Sequence, residues 1–259
     1  MSRMETNSPG SIATRYRDGI TARLAAITAT QQAAINAAAR LCFEQIKHDR
    51  LIHVYGVGGH SYVGSEEFFF RAGGLANISP MFEPSLSLAG GGQKSTMLER
   101  MENVGDKIVK AHHLGPDNLL IITSAYGINA CSIDAALEAK RRGCKVIGIS
   151  SVEFAENTPR DFVARHSCAK NLGEIVDVII DNHIPHGETL IDLPGYPQRV
   201  GGTCNILACF CINWLVMETI DLCRKHGVEP PVWKSANTIG GDEHNRQYLE
   251  KFTPRVKAL

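Results

Sequence analysis

The sequence predicts an α/β protein with a five-stranded parallel sheet that helices cover on both faces. Short apolar runs alternate with longer helical stretches along the chain, and this alternation is typical of parallel sheets. Two of the runs end in glycine-containing polar turns that lead into helices. Ligands in such sheets bind beyond the carboxyl ends of the strands, where the strand order reverses. In the strand order 2-1-3-4-5, the two turns would line one crevice.

The predicted strands are five β-favouring runs, which cover 51–55, 75–79, 118–123, 145–150 and 176–181. Each is too short and too apolar to be a surface helix, and each is bounded by glycine or polar residues. Helices are predicted after several of these strands, at 66–72, 128–142 and 205–226. Gly73 and Gly74 are predicted to end the first of these helices.

The chain ends are predicted from composition. Segment 14–48 repeats apolar residues at helical spacing, so we predict an N-terminal helical segment that divides near 28–30. Residues 1–13 are polar and are expected to be flexible. Segment 182–198 is rich in proline and glycine and is predicted as a loop. Without a linker or repeat, residues 1–259 are predicted to form a single domain.

Charge and composition narrow the class of protein. The chain has 259 residues with 27 basic and 27 acidic side chains, so it offers no broad basic surface for nucleic acid. No apolar run reaches the roughly 20 residues that span a bilayer, and 1–11 lack the order of a signal peptide. The eight cysteines include no Cys-x-x-Cys pair. A reduced cytoplasmic protein without membrane or nucleic-acid partners is the prediction.

The first turn, which follows the strand at 51–55, is predicted to bind a phosphate. Gly58 and Gly59 permit a tight turn, and Ser61 follows directly before a helix. Free backbone N–H groups and the positive end of a helix then point to one place, which favours an anion.

Further along the chain, 92–96 superficially resembles a nucleotide-binding P-loop. Gln93 stands where glycine is required and no strong strand precedes it, so we do not predict ATP binding. Lys94 and Ser95 are nevertheless candidates to contact an anion from a helix start. Thr203 is a predicted helix N-cap whose hydroxyl can be shared with a ligand.

Several stretches, taken in this order, resemble the SIS (sugar isomerase) domain family. They read GGHSYVGSEEFFFRAGGLA, KSTMLERM, IITSAYGIN, ALEAKRRGCKVIGISS, VDVIIDN and SANTIGGDEHN. The resemblance extends over about 14–252 and is greatest to a branch labelled as phosphosugar or phosphoheptose isomerases. It implies a flavodoxin-like three-layer α/β/α sandwich that binds sugar phosphates.

The resemblance also implies a set of ligand-binding residues. The usual second turn reads Ser-x-Ser-Gly-x-Thr, and here Ser124 matches while Tyr126 and Asn129 replace the second serine and the threonine. Tyr126 can bond an oxyanion, or stack on or exclude a ligand, and Asn129 is either a helix cap or a ligand-binding residue. The predicted phosphosugar-binding residues are Gly58, Gly59, Ser61, Ser124, Tyr126, Gly127, Asn129, Lys94, Ser95 and Thr203.

Aldose–ketose isomerisation through an enediol needs a base and an acid. The resemblance implies a glutamate on the helix after the first turn, where Glu67 is preferred to Glu66. It also implies a histidine, often from a neighbouring subunit. His244 in the tail at 242–259 is the first candidate, followed by His60 and His166, so the tail is expected to contribute to the site.

The leading hypothesis is therefore a sugar-phosphate isomerase. The alternatives are an amino-sugar-phosphate lyase or etherase, and a non-catalytic phosphosugar sensor. We expect no cofactor and no metal, because His183, His186 and Glu188 lie in a proline-rich loop with poor ligand spacing. The apolar helices predict a homodimer or homotetramer whose sites are shared between subunits.

Overall fold

The computed structural model describes residues 10–259 and begins with two helices, α1 (Ile12–Thr30) and α2 (Gln32–Lys47). They are separated at Gln31, close to the predicted division. Ser11 caps α1 by accepting a hydrogen bond from the Thr14 amide at 3.2 Å. Of the segment predicted to be flexible, 1–9 lie outside the described residues, whereas 12 and 13 belong to the first turn of α1.

Five parallel strands form the central sheet, and their order β2-β1-β3-β4-β5 confirms the predicted 2-1-3-4-5 order. Their bounds are β1 (Ile52–Gly56), β2 (Ile78–Pro80), β3 (Leu119–Thr123), β4 (Lys145–Ser150) and β5 (Val178–Asp181). Every residue of β1, β2 and β3 is buried, because helices cover both faces, whereas in β5 at the edge of the sheet only Ile180 is buried. The first and third strands are neighbours, as the site prediction required.

The remaining helices are α3 (Val63–Phe68), α4 (Gly92–Glu99), α5 (Gly105–Ala111), α6 (Ala130–Arg141), α7 (Val152–Asn157), α8 (Cys204–Lys225) and α9 (Gly241–Phe252). Side chains of α1, α2 and α8, such as Ile27, Ile35 and Leu215, form the core on one face of the sheet. Ile133 of α6 and Val109 of α5 belong to the core on the other face. The three-layer α/β/α sandwich is thus confirmed.

Element boundaries differ from the prediction mainly around α3. This helix begins three residues earlier than predicted and ends at Phe68, well before Gly73 and Gly74. Phe69 is extended, with φ −96° and ψ 136°, and its ring packs edge-on to Phe82 with centroids 5.7 Å apart. The prediction for 66–72 was wrong because tertiary packing of these aromatic rings overrides helix propensity.

The second strand is also later and shorter than predicted, covering 78–80 instead of 75–79. Leu75 forms an isolated bridge with Val232, so the start of the predicted strand pairs with the C-terminal segment. The predicted loop at 182–198 contains β6 (Thr189–Ile191), which pairs antiparallel with β7 (Val200–Gly202). The tail forms α9, which packs through Phe252 against the buried Trp233 and Ala76.

Among residues 10–259, α8 is long and apolar enough, by length and composition alone, to cross a membrane. This is weak evidence, because the core helix of a soluble protein passes the same test. Leu207, Cys211 and Leu215 of α8 are buried in the core that α8 shares with α2.

Candidate functional site

The two polar turns lie side by side at the carboxyl ends of β1 and β3. The parallel register pairs Gly56 with Thr123, so the residues that follow each strand leave the sheet together. The Ser61 Oγ accepts a hydrogen bond from the Ala125 amide at 2.8 Å, and the Thr123 hydroxyl donates to the Ser61 carbonyl at 3.0 Å. The Ser124 Oγ accepts from the Gly127 amide at 3.1 Å. Ser61 therefore joins the first turn to the second.

The first turn has the conformation that its glycines predict. Gly58 and Gly59 have φ values of 59° and 50°, which side chains other than glycine adopt only at a cost. The Gly59 amide donates to the Ser95 Oγ at 2.9 Å, and this hydroxyl donates to the Leu86 carbonyl at 2.6 Å. Ser95 is fully buried. It holds the first turn in place from behind, and its hydroxyl is already engaged within the chain.

A narrow crevice lies between the two turns and the start of α8. Its walls include residues of both turns and of α8: His60, Ser61, Val63, Gly64, Thr123, Ser124, Ala125, Ile149, Asn182, Ile184, Cys204, Asn205, Ala208 and Cys209. The first residues of α3 and α8 are among them. The positive ends of these helices favour an anion in the crevice. The crevice borders a wider bay of about 460 Å³ lined by His60, Glu188, Thr189 and Asn205.

No lysine or arginine lines the crevice among the described residues. Lys94 is exposed on α4, and a Cβ atom built on Gly90 would lie 3.0 Å from its Nζ, which places that amine beside the glycine loop. The Thr203 hydroxyl donates to the Glu188 carbonyl at 2.9 Å and does not cap α8. Backbone dipoles, rather than cationic side chains, supply positive potential to the crevice.

The second turn departs from the usual pattern in its geometry as well as its sequence. The Tyr126 ring stacks on Phe154 with centroids 4.5 Å apart, and Phe154 stacks in turn on His186 at 4.8 Å. Gly127 has φ 63°, and a Cβ atom there would lie 2.5 Å from the Ser150 Oγ. Tyr126 is thus fixed by protein rings. Neither Tyr126 nor Gly127 belongs to the walls of the crevice.

Asn129 contacts a carboxylate that the sequence did not suggest. It stands at the N-cap position of α6 without capping it, and its Nδ2 donates to the Glu99 Oε1 at 3.3 Å. A Cβ atom on Gly58 would lie 2.8 Å from the Glu99 Oε2. Burial raises the pKa of Glu99, Arg100 lowers it and the negative charge of Glu188 raises it, and together these effects bring it from 4.5 to about 7. Glu99 therefore lies between the two turns on the α6 side.

The predicted base, Glu67, lies between α3 and α8. Its Oε1 accepts from the Asn213 Nδ2 at 2.6 Å, and its Oε2 accepts from Arg71 at 3.0 Å. The Cys209 thiol lines the crevice, and burial together with the charge of Glu67 raises its pKa to about 11. Glu66 is exposed to solvent. Glu67 is thus the more buried of the two carboxylates, next to a crevice wall rather than in it.

The three predicted histidines lie in different places. His60 is exposed and lines both the crevice and the bay. The His244 Nε2 lies 3.0 Å from the Val232 carbonyl oxygen, in the C-terminal region around Trp233 and Tyr248. The His166 Nε2 lies 3.1 Å from the Asp134 Oδ1. Within one chain, only His60 meets the two turns.

Residues 10–259 contain no group of three or more histidine, cysteine or acidic side chains placed to hold a metal ion. The His183 Nε2 contacts the Thr30 hydroxyl at 2.8 Å, and the His186 ring stacks on Phe154. The Glu188 carboxylate instead accepts a hydrogen bond from the Cys204 thiol, with 3.1 Å between Sγ and Oε2.

Three polar residues of the site were missed by the sequence analysis. Glu99 lies in KSTMLERM, a stretch that was noted for family resemblance only. Asn205 and Asn182 line the crevice, and the Asn182 Oδ1 accepts from the Ile184 amide at 3.2 Å. Asn205 follows Gly-Gly-Thr at a helix start, which is a usable signal for a ligand-facing amide. Nothing in the local sequence distinguishes Glu99 from other helix-surface glutamates.

Comparison with known proteins identifies the class. The sequence pattern described as the SIS domain matches residues 15–151. A UPF0309 protein of Geobacillus kaustophilus is 32% identical over 245 residues, covering 95% of this chain and 96% of the relative. A UPF0309 protein of Thermoanaerobacter pseudethanolicus is 35% identical over 248 residues, covering 94% and 98%. The chain belongs to the SIS domain family.

Two solved structures share the fold at low sequence identity. Phosphoheptose isomerase GmhA from Neisseria gonorrhoeae superimposes with a TM-score of 0.53 at 15% identity, covering 83% of this chain and 97% of that one. The Vibrio vulnificus NanR protein, solved as a complex with ManNAc-6P, superimposes with a TM-score of 0.50 at 14% identity, covering 95% and 70%. At these identities the likeness establishes the fold.

Proposed function

We propose that the two turns bind the phosphate group of a sugar phosphate where the narrow crevice, itself about 10 Å³, meets the bay of about 460 Å³. The observation that carries this proposal is the bond from the Ala125 amide to the Ser61 Oγ, which brings the two serine-bearing turns together beside the starts of α3 and α8. Hydroxyls, backbone amides and helix ends converge there, and this is the chemistry that binds phosphate. The choice of ligand is supported by two structures that share the fold, a phosphoheptose isomerase and a protein solved as a complex with ManNAc-6P.

Serine variants test the binding proposal. Hydrogen bonds to charged groups contribute about 1.5–3 kcal/mol, so Ser61→Ala and Ser124→Ala should each weaken sugar-phosphate binding roughly tenfold or more. Calorimetric titration measures the dissociation constant. Ser11→Ala is the control, because Ser11 caps α1 far along the chain from both turns. Unchanged affinity in both site variants would contradict the phosphate position.

The reaction that we propose is aldose–ketose isomerisation. A base removes the proton from the hydroxyl-bearing carbon beside the carbonyl while an acid protonates the carbonyl oxygen, which gives an enediol. The proton then returns to the former carbonyl carbon, and the hydroxyl on the other carbon gives up its proton to become the new carbonyl. Glu67 is the proposed base, because it is half-buried and adjoins the Cys209 wall of the crevice. To act, its carboxylate must exchange its bonds to Asn213 and Arg71 for the substrate. His60, at the mouth of the crevice, is the proposed acid within one chain.

Substitution of neighbouring glutamates tests this assignment. Glu67→Gln removes the base while keeping the shape, so turnover of a bound sugar phosphate should fall about 10²–10⁴-fold. The dissociation constant of the sugar phosphate should change little in this variant. Glu66→Gln is the matched control on the exposed side of α3 and should retain wild-type turnover. If Glu67→Gln also turns over at the wild-type rate, this assignment of the base is wrong.

A non-catalytic sensor is the second candidate function. The specific observation in its favour is that both Glu67 oxygens are engaged by protein partners. A sensor would bind a sugar phosphate with the same serine dependence but would not exchange the proton on the carbon beside the carbonyl. Deuterium incorporation from D₂O into the bound sugar phosphate distinguishes the two functions. Incorporation indicates the isomerase, and its absence with tight binding indicates the sensor.

We also propose that the chain self-associates, with His244 completing the crevice of a second subunit. His244 is exposed and lies away from the turns of its own chain, which leaves it available to a partner. A shared site of this kind requires a closed symmetric dimer or tetramer.

A further inference from the structure

Glu99 is a polar group of the site that the proposed function leaves without a role. Its carboxylate lies where the two turns meet at the start of α6, within 3.3 Å of the Asn129 Nδ2 and close to Gly58. Asn129 is 4% exposed, and its Oδ1 has no hydrogen-bond partner among the described residues. A backbone amide turn, a helix start and a side-chain amide thus surround one carboxylate. We call the space between the two turns the cradle. The carboxylate of Glu99 occupies its α6 side.

The charges around Glu99 do not neutralise it. Arg100, the next residue on its own helix, lowers its pKa, yet no salt bridge between described residues includes Glu99. From the segment before β6, Glu188 faces it with a like charge. Cys131 of α6 is near enough for Glu99 to contribute to its raised pKa. His60 of the first turn lines the adjoining crevice. An incoming dianion would therefore meet an uncompensated negative charge.

We propose that Glu99 gates the cradle by charge, so that a dianion enters together with a proton on Glu99. The proposal rests on the proposed function, because it assumes that the two turns bind an anion, and it adds how that binding is regulated. Ionised Glu99 repels an anion that approaches the two turns, whereas protonated Glu99 carries no charge and does not repel it. The pKa of Glu99, raised to about 7, puts this change near neutral pH.

The expected pH dependence follows from population arithmetic. The apparent dissociation constant equals the intrinsic value divided by the fraction of competent protein. With a midpoint at about 7, the protonated fraction falls from roughly nine-tenths at pH 6 to roughly one-tenth at pH 8, so affinity should fall about tenfold. Sulfate is the probe, because its charge does not change over this range.

The experiment is a sulfate titration at pH 6 and pH 8, with ionic strength held constant by NaCl. Binding is followed by the amide NMR shifts of Asn129 and Ala130 at the start of α6. Wild type should lose about tenfold in affinity between the two pH values. Glu99→Gln is uncharged and should bind at pH 8 as tightly as wild type at pH 6, with less than about twofold change with pH.

Two control variants isolate the effect. His60→Gln replaces the imidazole that lines the adjoining crevice; whatever its effect on the affinity itself, the ratio of the affinities at pH 6 and pH 8 should stay about tenfold. Glu66→Gln removes an exposed carboxylate of α3 and should behave as wild type. If Glu99→Gln does not fold, wild type and His60→Gln decide the question, because a pH-independent sulfate affinity in both overturns the gate.

The outcomes separate the gate from the cradle. Equal affinity and equal pH dependence in wild type and Glu99→Gln overturn the gate and leave the cradle intact. If neither protein binds sulfate at pH 6, the cradle itself is wrong, and the gate is overturned with it.

Discussion

His53 is a buried histidine in the middle of β1 that has no part in the proposed chemistry. It is 8% exposed, and its Nδ1 has no hydrogen-bond partner among the described residues. Burial, together with the nearby His112, lowers its pKa from 6.5 to about 4. The native state therefore holds His53 neutral at pH values where the unfolded chain binds a proton.

This histidine predicts a loss of stability in acid. Stability rises with pH wherever the unfolded state binds more protons, here between about 4 and 6.5. His53 should therefore have no effect above pH 6.5 and should cost about 3 kcal/mol by pH 4. Urea unfolding at pH 7, 5.5 and 4.5 measures the change.

The control for this prediction is a second histidine. His53→Leu should flatten the pH dependence, whereas His113→Asn should not, because His113 is exposed. Asparagine tolerates the φ of 54° at position 113. If the free energy of unfolding of His53→Leu falls in acid as steeply as that of wild type, other groups cause the loss of stability.

At the residue scale, the sequence predicted the joined serines but not the carboxylate beside them. Ser61 and Ser124 follow strands directly, so strand pairing alone brings them together. Glu99 lies in α4, and the glycine-rich stretch before that helix leaves its position undetermined by local sequence. Its contact with Asn129 depends on how α4 packs. Lys94, on the same helix, is a predicted anion contact, and its amine lies beside Gly90.

At the element scale, α8 leaves one apolar side uncovered. Ile206 and Met217 are 43% and 60% exposed, and Phe210 is half-buried between them. Their spacings of four and seven residues place them on one side of the helix. An apolar stripe of this kind on a helix is typical of an interface.

If the exposed apolar side of α8 is an interface between subunits, a charge placed on it should change the oligomeric state. Wild type should sediment as a dimer or tetramer at micromolar concentration, and Met217→Lys should shift it to smaller species by burying a charge in the interface. Met97→Lys is the control, because Met97 is 68% exposed on α4. Sedimentation velocity gives the answer. A monomeric wild type would rule out this interface and the shared site.

Element boundaries were predicted well where one local signal dominates. The strand at 145–150 coincides with β4, and the predicted helix at 205–226 differs from α8 by one residue at each end. Boundaries were predicted wrongly where contact with a segment distant in sequence determines where the element begins or ends. Asn129 forms an isolated bridge with Arg165, so α6 begins later than predicted. Leu75 forms an isolated bridge with Val232, so β2 begins later than predicted.

At the scale of the whole molecule, the strand order and the place where the two turns meet were predictable together. Alternating strands and helices favour a doubly covered parallel sheet, and its reversal point fixes where the two turns meet. The electrostatics of the site were not predictable, because they depend on which charges face the crevice. Its described walls contain no lysine or arginine, while Glu188 lines the adjoining bay.

The central claim is that the crevice recognises the phosphate group of a sugar phosphate. The most direct measurement is a thermal-shift series at pH 6 with sugar phosphates, each paired with its unphosphorylated sugar. A ligand that binds only the folded state raises the melting temperature by mass action. We predict a shift with at least one sugar phosphate and none with its free sugar. Equal shifts for such a pair, or no shift across the series, would contradict the claim.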